Sequence, residues 1–381
     1  MTIVLLLAGV VLLALAQHPF ITFPLSLLLL SRFRPRPVAG GALPETAALC
    51  VCAYREERVI RDKALNMLAM REAFPALDLL IYVDGGAEGD STAAMLAAFE
   101  PAIHVVRAQE RTGKTAGMNT LLTLTSAECV IFSDANVTFD AAAVPALLRP
   151  FADPEVGVAC GHLRYRDVRG SATAATGSLY WRYEEALKRL ESATGSVMGA
   201  DGSIFAMRRR YCRPVPPYLI DDMYASLAAL CDGARIVRVE DALAYEDQVS
   251  RSGEEFRRKI RIACQAFNVH RALRLRLARL APLDRYKFVS HKLIRWFVAP
   301  IGAAGMALLA AGLANAGAWP LLSLLVLAVL AAVLLPQTRA LLSAFLGTGL
   351  GVLQSIRGQQ FQTWEPPSSS RSLRKHATVA R

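Results

Sequence analysis

The chain has 381 residues, of which 54% are hydrophobic and 20% charged, and it carries a formal net charge of +11. That composition excludes a disordered polymer, and the length admits one or two domains. Seven cysteines without a Cys-x-x-Cys pair read as buried thiols in a reducing compartment.

Taken from the beginning, Met1–Leu30 contains no acidic or strongly basic residue. A membrane crossing needs about 20 apolar residues, and this run is too long and lacks the basic start of a signal peptide. Arg32, Arg34 and Arg36 follow at once, which puts that end on the cytoplasmic side. Residues 45–280 then read like an ordinary soluble α/β protein. Ala47–Ala53 is a continuous apolar run, the mark of a buried strand, and Arg55–Arg71 is charged and periodic, hence helical. Leu77–Val83 is a second buried strand, ending in Asp84-Gly85-Gly86. Ser91–Phe99 reads as helix, Ile103–Val106 as strand, Thr115–Leu124 as helix, and Cys129–Ser133 as strand ending in Asp134. The alternation predicts a mostly parallel, doubly wound sheet. Ligands of such sheets bind beyond the carboxyl ends of the strands, so Tyr54, Asp84 and Asp134 should meet in one crevice.

Three stretches carry residues suited to chemistry. Asp134-Ala135-Asn136 sets two oxygen ligands two residues apart at a strand end, a pattern that can grip Mg²⁺ or Mn²⁺ and offset the charge of a diphosphate; helix capping is the plainer use of the same aspartate. Lys114 opens a helix after Gly113 and can reach a phosphate. The stretch Ala108–Thr115 is one residue from a Walker A loop, which raises a membrane-associated NTPase as a rival. Against it, Ala108 stands where glycine's backbone freedom is needed, and two strand units precede the loop. Asp221-Asp222 precedes the helical Met223–Leu230, where a carboxylate can accept the proton of a hydroxyl or cap the helix.

Residues 251–295 hold thirteen Lys/Arg against three Asp/Glu. Because this patch runs into apolar segments, an anionic membrane surface or a phosphate-rich donor suits it better than nucleic acid. Leu283–Phe297 mixes apolar and basic residues at helical spacing, as a helix lying in the membrane interface does. Apolar runs return at Phe297–Leu313, Trp319–Leu335 and Ala340–Leu353, and the tail Pro366–Arg381 reads as disordered. One N-terminal crossing plus three C-terminal ones would leave the basic tail outside, against the charge rule. Either the third run does not cross, or Met1–Leu30 forms a hairpin.

Taken together these motifs resemble the family 2 inverting glycosyltransferases, in particular the membrane-bound branch with cellulose, chitin, hyaluronan and poly-N-acetylglucosamine synthases. The likeness covers roughly residues 45–300. Ala53-Tyr54-Arg55-Glu56-Glu57 is similar to the family's Ala-Tyr-Asn-Glu-Glu, with Arg55 in place of Asn, which implies that Ala53, Tyr54 and Glu56 hold the nucleoside. Asp84 matches the aspartate that reads the uracil, Gly113-Lys114 and Asn119 match Gly-Lys-x-x-x-x-Asn, and Asp134-Ala135-Asn136 matches the metal motif. Asp221-Asp222 stands at Glu-Asp, which makes Asp222 the base; Gly199-Ala200-Asp201-Gly202, followed by Arg208-Arg209, is similar to the acceptor-side segment. At the family's Gln-x-x-Arg-Trp the chain has Arg258-Lys259-Ile260-Arg261-Ile262, so Arg261 is retained for the diphosphate beside Arg258, and the tryptophan that packs under an acceptor sugar is absent.

The resemblance implies a GT-A fold and a single displacement by the acceptor hydroxyl at a nucleotide sugar, UDP-linked in this family. It also implies a membrane segment at 1–30, a cytoplasmic catalytic domain at 45–280, an interfacial helix at 283–297, a membrane region at 298–355 and a basic tail at 357–381, in a bacterial inner membrane. The expected product is a growing glycan of a cell-surface polysaccharide; the alternative is one sugar added to a lipid acceptor.

Overall fold

The computed structural model describes residues 1–85, 89–166, 172–247 and 252–363, the side chains of 172–179 and 252–255 excepted. Its sheet has eight strands: β1 Ala47–Ala53, β2 Leu77–Val83, β3 His104–Arg107, β4 Cys129–Asp134, β5 Val137–Phe139, β6 Val156–Arg166, β7 Ile204–Arg208 and β8 Arg235–Asp247. They lie in the order β3-β2-β1-β4-β7-β6-β8-β5. The half containing β3, β2, β1 and β4 is parallel, and the central β1 and β4 read as apolar runs because helices cover both faces. The other half mixes directions: β7 runs antiparallel to both β4 and β6, and β5 antiparallel to β8, while β6 and β8 run parallel. The expected doubly wound sheet is therefore mixed, and its second half reaches the crevice through β5 and β8.

Fourteen helices surround the sheet among the described residues: α1 Thr2–Gln17, α2 Thr22–Phe33, α3 Ile60–Ala73, α4 Thr92–Leu96, α5 Lys114–Thr123, α6 Ala143–Leu148, α7 Ala172–Ala193, α8 Asp221–Cys231, α9 Ser252–Leu277, α10 Pro282–Phe288, α11 Ile294–Trp296, α12 Val298–Asn315, α13 Trp319–Leu334 and α14 Pro336–Ile356. One core lies under α3 and α6, around Met67, Ile81, Ile131 and Leu147. The other lies under α5, α8 and α9, around Leu121, Phe132, Phe205 and Leu227. Each such side chain contributes about 1.5–3 kcal/mol on burial. The helix foreseen from Arg55 starts only at Ile60. Arg55 takes a left-handed φ of 55°, and its N–H donates to Asp90 Oδ2 at 3.0 Å, so residues 54–59 form a loop at the crevice edge instead of a first helical turn.

Two helices, α12 and α14, are long and apolar enough to cross a membrane, three if the pair α1–α2, bent by 56°, counts as one. The apolar α13 is shorter, at 16 residues. α1 packs on α12 through small residues: a Cβ on Gly9 would come within 2.7 Å of Leu309 N, and one on Gly312 within 2.7 Å of a Leu6 methyl. α2 turns away, burying Phe23 and Leu27 against Leu187 of α7. Residues 1–30 thus form neither a straight crossing nor a hairpin. In the stretch foreseen at the interface Arg285 is exposed, while Lys287, His291 and Arg295 turn inward. Lys287 is fully buried and donates to Glu191 O at 2.9 Å, His291 lies between Glu191 and Glu184, and Arg295 pairs with Glu184.

Candidate active site

The carboxyl ends of β1, β2 and β4 meet because Cys52 pairs in register with Asp134 and Ala53 with Val83. Beyond β1, the Arg111 guanidinium lies 4.1 Å from the centre of the Tyr54 ring, and the Glu56 N–H donates to Thr92 Oγ1 at 2.9 Å. Beyond β2, Asp84 is 5% exposed and accepts three bonds: from the N–H (2.7 Å) and hydroxyl (3.0 Å) of Thr112 and from the N–H of Gly113 (2.9 Å). A carboxylate offers about four accepting positions, so Asp84 is largely engaged in shaping the loop that leads to α5. Gly86, next to it in the motif, lies outside the described residues.

That loop delivers Lys114 to the centre of the crevice. Its Nζ lies 2.7 Å from Asp134 Oδ1 and 3.3 Å from Asp221 Oδ2. Burial works against its charge, but Asp134, Asp221 and Asp222 outweigh burial and hold it well above the ordinary lysine value. Three motifs more than a hundred residues apart at their extremes are thus joined through one ammonium. Asn119, one turn further along α5, exchanges two bonds with Val215, donating at 2.8 Å and accepting at 2.9 Å. This fixes the segment that carries Asp221 and Asp222 to α5.

Asp222 is pushed up to about 7, by burial first and by the neighbouring Asp221 second, with Lys114 opposing. One of its oxygens accepts the Met223 N–H at 2.6 Å. The other lies where a Cβ on Gly202 would be only 2.7 Å away, so the glycine makes room for the carboxylate. Gly199, at φ 108°, turns the same segment past Met223. Arg208 and Arg209 do not join this side: they donate to the carbonyls of Val156 (2.8 Å) and Leu122 (2.7 Å), at the opposite edge.

On the metal side, Asn136 donates to Glu246 Oε1 at 2.9 Å. Glu246 is pushed up to about 7, by burial and then by Asp134, against the pull of Arg258. Sequence reading missed Glu246. It arrives on β8, where it pairs with Val137 across more than a hundred residues of chain, and no local spacing announces that. The carboxylates of Asp134 and Glu246, beside the Asn136 amide, fit a hard divalent cation in ligand type. Among the described residues no three His, Cys, Asp or Glu side chains converge to hold one unaided. Arg261 donates to Gln265 Oε1 at 3.1 Å and is lowered to about 10 by burial and by Arg258. Gln265 in turn donates to Phe361 O at 3.1 Å, and Asn268 to Gln359 O at 3.0 Å. The irregular stretch after α14 is thereby tied along α9 and passes the start of α5, with Gln362 O 2.6 Å from where a Cβ of Gly113 would stand.

Residues 48–215 match the family model described as Glycosyl transferase family 2. Among solved structures, a mannosyltransferase from Pyrobaculum calidifontis, in complex with GDP-Man and Mn²⁺, superposes with a TM-score of 0.73 at 19% identity, over 93% of this chain and 99% of that one. At that identity the likeness is one of fold, and the fold is GT-A-like. Mannosyl-3-phosphoglycerate synthase from Rubrobacter xylanophilus gives 0.42 at 17% identity, over 63% of this chain and 77% of that one. No match was found among curated proteins. The Walker-like stretch falls inside the matched region and leads from β3 into α5.

Proposed function

We propose that this chain, which carries a family 2 glycosyl transferase domain and is a glycosyltransferase by that domain, moves a sugar from a nucleotide-sugar donor to an acceptor hydroxyl by one inverting displacement. The observation that carries the reading is Asp222, an acid raised to about 7 beside Asp221, whose carboxylate Lys114 joins to that of Asp134. In this reading Asp222 takes the proton of the acceptor hydroxyl, on the side lined by Gly199 and Gly202. Lys114, Arg258 and Arg261 face the diphosphate, and Ala53, Tyr54, Glu56 and the Asp84 loop hold the nucleoside. Asp134 and Asn136, with Glu246, would hold Mg²⁺ or Mn²⁺, which when bound offsets charge on the departing diphosphate. The Mn²⁺ in the Pyrobaculum structure supports the metal. Its GDP-Man makes GDP-Man the first donor to test beside the UDP-sugars that the sequence motifs suggest.

The acceptor we propose is a growing glycan, handled on the cytoplasmic side of a membrane that α12 and α14 enter. A second reading, one sugar added to a lipid acceptor, is favoured by Ile262 where the synthases have tryptophan. Incubating the purified full-length protein with a panel of radiolabelled nucleotide sugars tests the reaction; no transfer from any donor by folded protein would overturn it. Asp134→Asn is expected to abolish turnover and weaken nucleoside diphosphate binding in Mn²⁺. Undiminished activity in excess chelator would remove the metal from the account.

A further inference from the structure

Lys63 is 1% exposed, on the face of α3 where its neighbours Ile60, Ala64, Met67 and Met70 are buried in the apolar core. A lysine there gains nothing from hydrophobic burial of its ammonium, which must find hydrogen bonds inside the protein. Among the described residues it forms no ion pair. Its Nζ donates to Ser133 Oγ at 2.8 Å and to Val137 O at 2.8 Å, and lies 4.7 Å from the centre of the Phe139 ring.

The placing of those two acceptors is informative. Ser133 is the last residue before Asp134, and Val137 is the first after Asn136. One buried ammonium therefore grips both feet of the turn Asp134-Ala135-Asn136, and it does so from the core side, opposite the crevice. A second polar side chain on the same helix does related work one turn on. Asn66 accepts the Phe139 N–H at 2.8 Å and donates to Phe139 O at 2.9 Å. The short β5 is thus pinned to α3 at two points, while its other edge pairs with β8, which supplies Glu246. Three oxygen-bearing residues from two strands can stay aligned only if the turn between β4 and β5 keeps its shape, and Lys63 is the group that ties its two ends together.

We propose that Lys63 is a positioning residue for the divalent cation, holding Asp134 and Asn136 in ligating register through Ser133 and Val137. The proposal rests on the metal reading given above, and its test separates the two. Binding of Mn²⁺ alone to full-length protein in detergent is followed by electron paramagnetic resonance, which reports both the free ion and the symmetry of the bound one. Lys63→Met, of similar length and apolar, is expected to weaken Mn²⁺ binding about 10–100-fold, the range seen when groups that orient metal ligands are removed. It should also broaden the bound-ion spectrum. Ser133→Ala keeps the charge and removes one anchor; a several-fold loss is expected there, with the unfolding temperature nearly unchanged. Should Lys63→Met fail to fold, Ser133→Ala and Asn66→Leu decide the matter by the same readout. Mn²⁺ bound as tightly as by the unaltered protein, or more tightly, with an unchanged spectrum, would overturn the proposal: the lysine would then be a core residue or a like charge beneath the site. Failure of the unaltered protein to bind Mn²⁺ would instead overturn the metal reading, and the positioning role with it.

Discussion

An acid that keeps its proton up to about 7 in the folded chain ionises in the range where a general base must work. Transfer is therefore expected to fall as pH drops below about 7, and a profile flat down to pH 5 would remove Asp222 from the role. Asp222→Asn should lower turnover roughly a hundred- to ten-thousand-fold while leaving nucleotide binding in place; Asp221→Asn should be milder, since its carboxylate meets Lys114 and not the acceptor. The same residue makes an opposite prediction for stability. Its folded value lies above its ordinary value of 3.8, so the stability it contributes is full below about 4 and is lost as pH rises through about 7. Asn at this position carries no such penalty, so Asp222→Asn should unfold at a higher temperature than the unaltered protein at pH 8, and not at pH 4. At this scale Lys114, Asp134, Asp221 and Asp222 were legible because each stands at the end of a strand or the start of a helix. Glu246 and Lys63 were not. A glutamate within a strand and a lysine within an amphipathic helix look like solvated residues until the chain's path puts them at the crevice and beneath it.

The elements that hold the site divide by how local their contacts are. β1, β2 and β4 announce themselves as largely apolar runs. The stretch Gly358–Thr363 announces nothing: its shape comes from Gln265, Asn268 and Cys264 on α9, nearly a hundred residues earlier. Gly113 is the point where it meets the loop that presents Lys114. A side chain there faces both a φ of 89° and the carbonyl of Gln362. Gly113→Ala should then cost about 1–3 kcal/mol of stability and weaken nucleotide binding, because the loop that presents Lys114 must shift. Calorimetric titration with a nucleoside diphosphate checks this, and unchanged affinity would separate the stretch from the donor site. In the apolar region, α1 approaches α12 backbone to backbone at Gly9 and Gly305. Gly305→Leu should part the two helices and reduce the yield of folded protein extracted from membranes. A surface glycine such as Gly349, which meets nothing within 4 Å, should tolerate the same change.

For the whole molecule the open question is how many sugars one acceptor receives. Among the described residues α12 and α14, with the bent pair α1–α2, give up to three candidate crossings, and Ile262 offers no aromatic face for stacking, a contact that contributes about 1 kcal/mol. Sizing the product of purified protein under donor excess decides it. A ladder is expected for a growing glycan, and one sugar per lipid at every donor concentration would promote the alternative. The amino-acid sequence alone determined the parallel half of the sheet, the order of the motifs and the apolar ends. These follow from periodicity and from residues within a few positions of each other. Only the tertiary structure decided the half of mixed strand direction, the inward turn of Lys287, His291 and Arg295, and the joining of Asn136 to Glu246 and of Lys63 to Ser133. Each of those depends on which distant segment the chain brings alongside, and the free energy of such pairings comes from burial and hydrogen bonds that exist only after the sheet has closed.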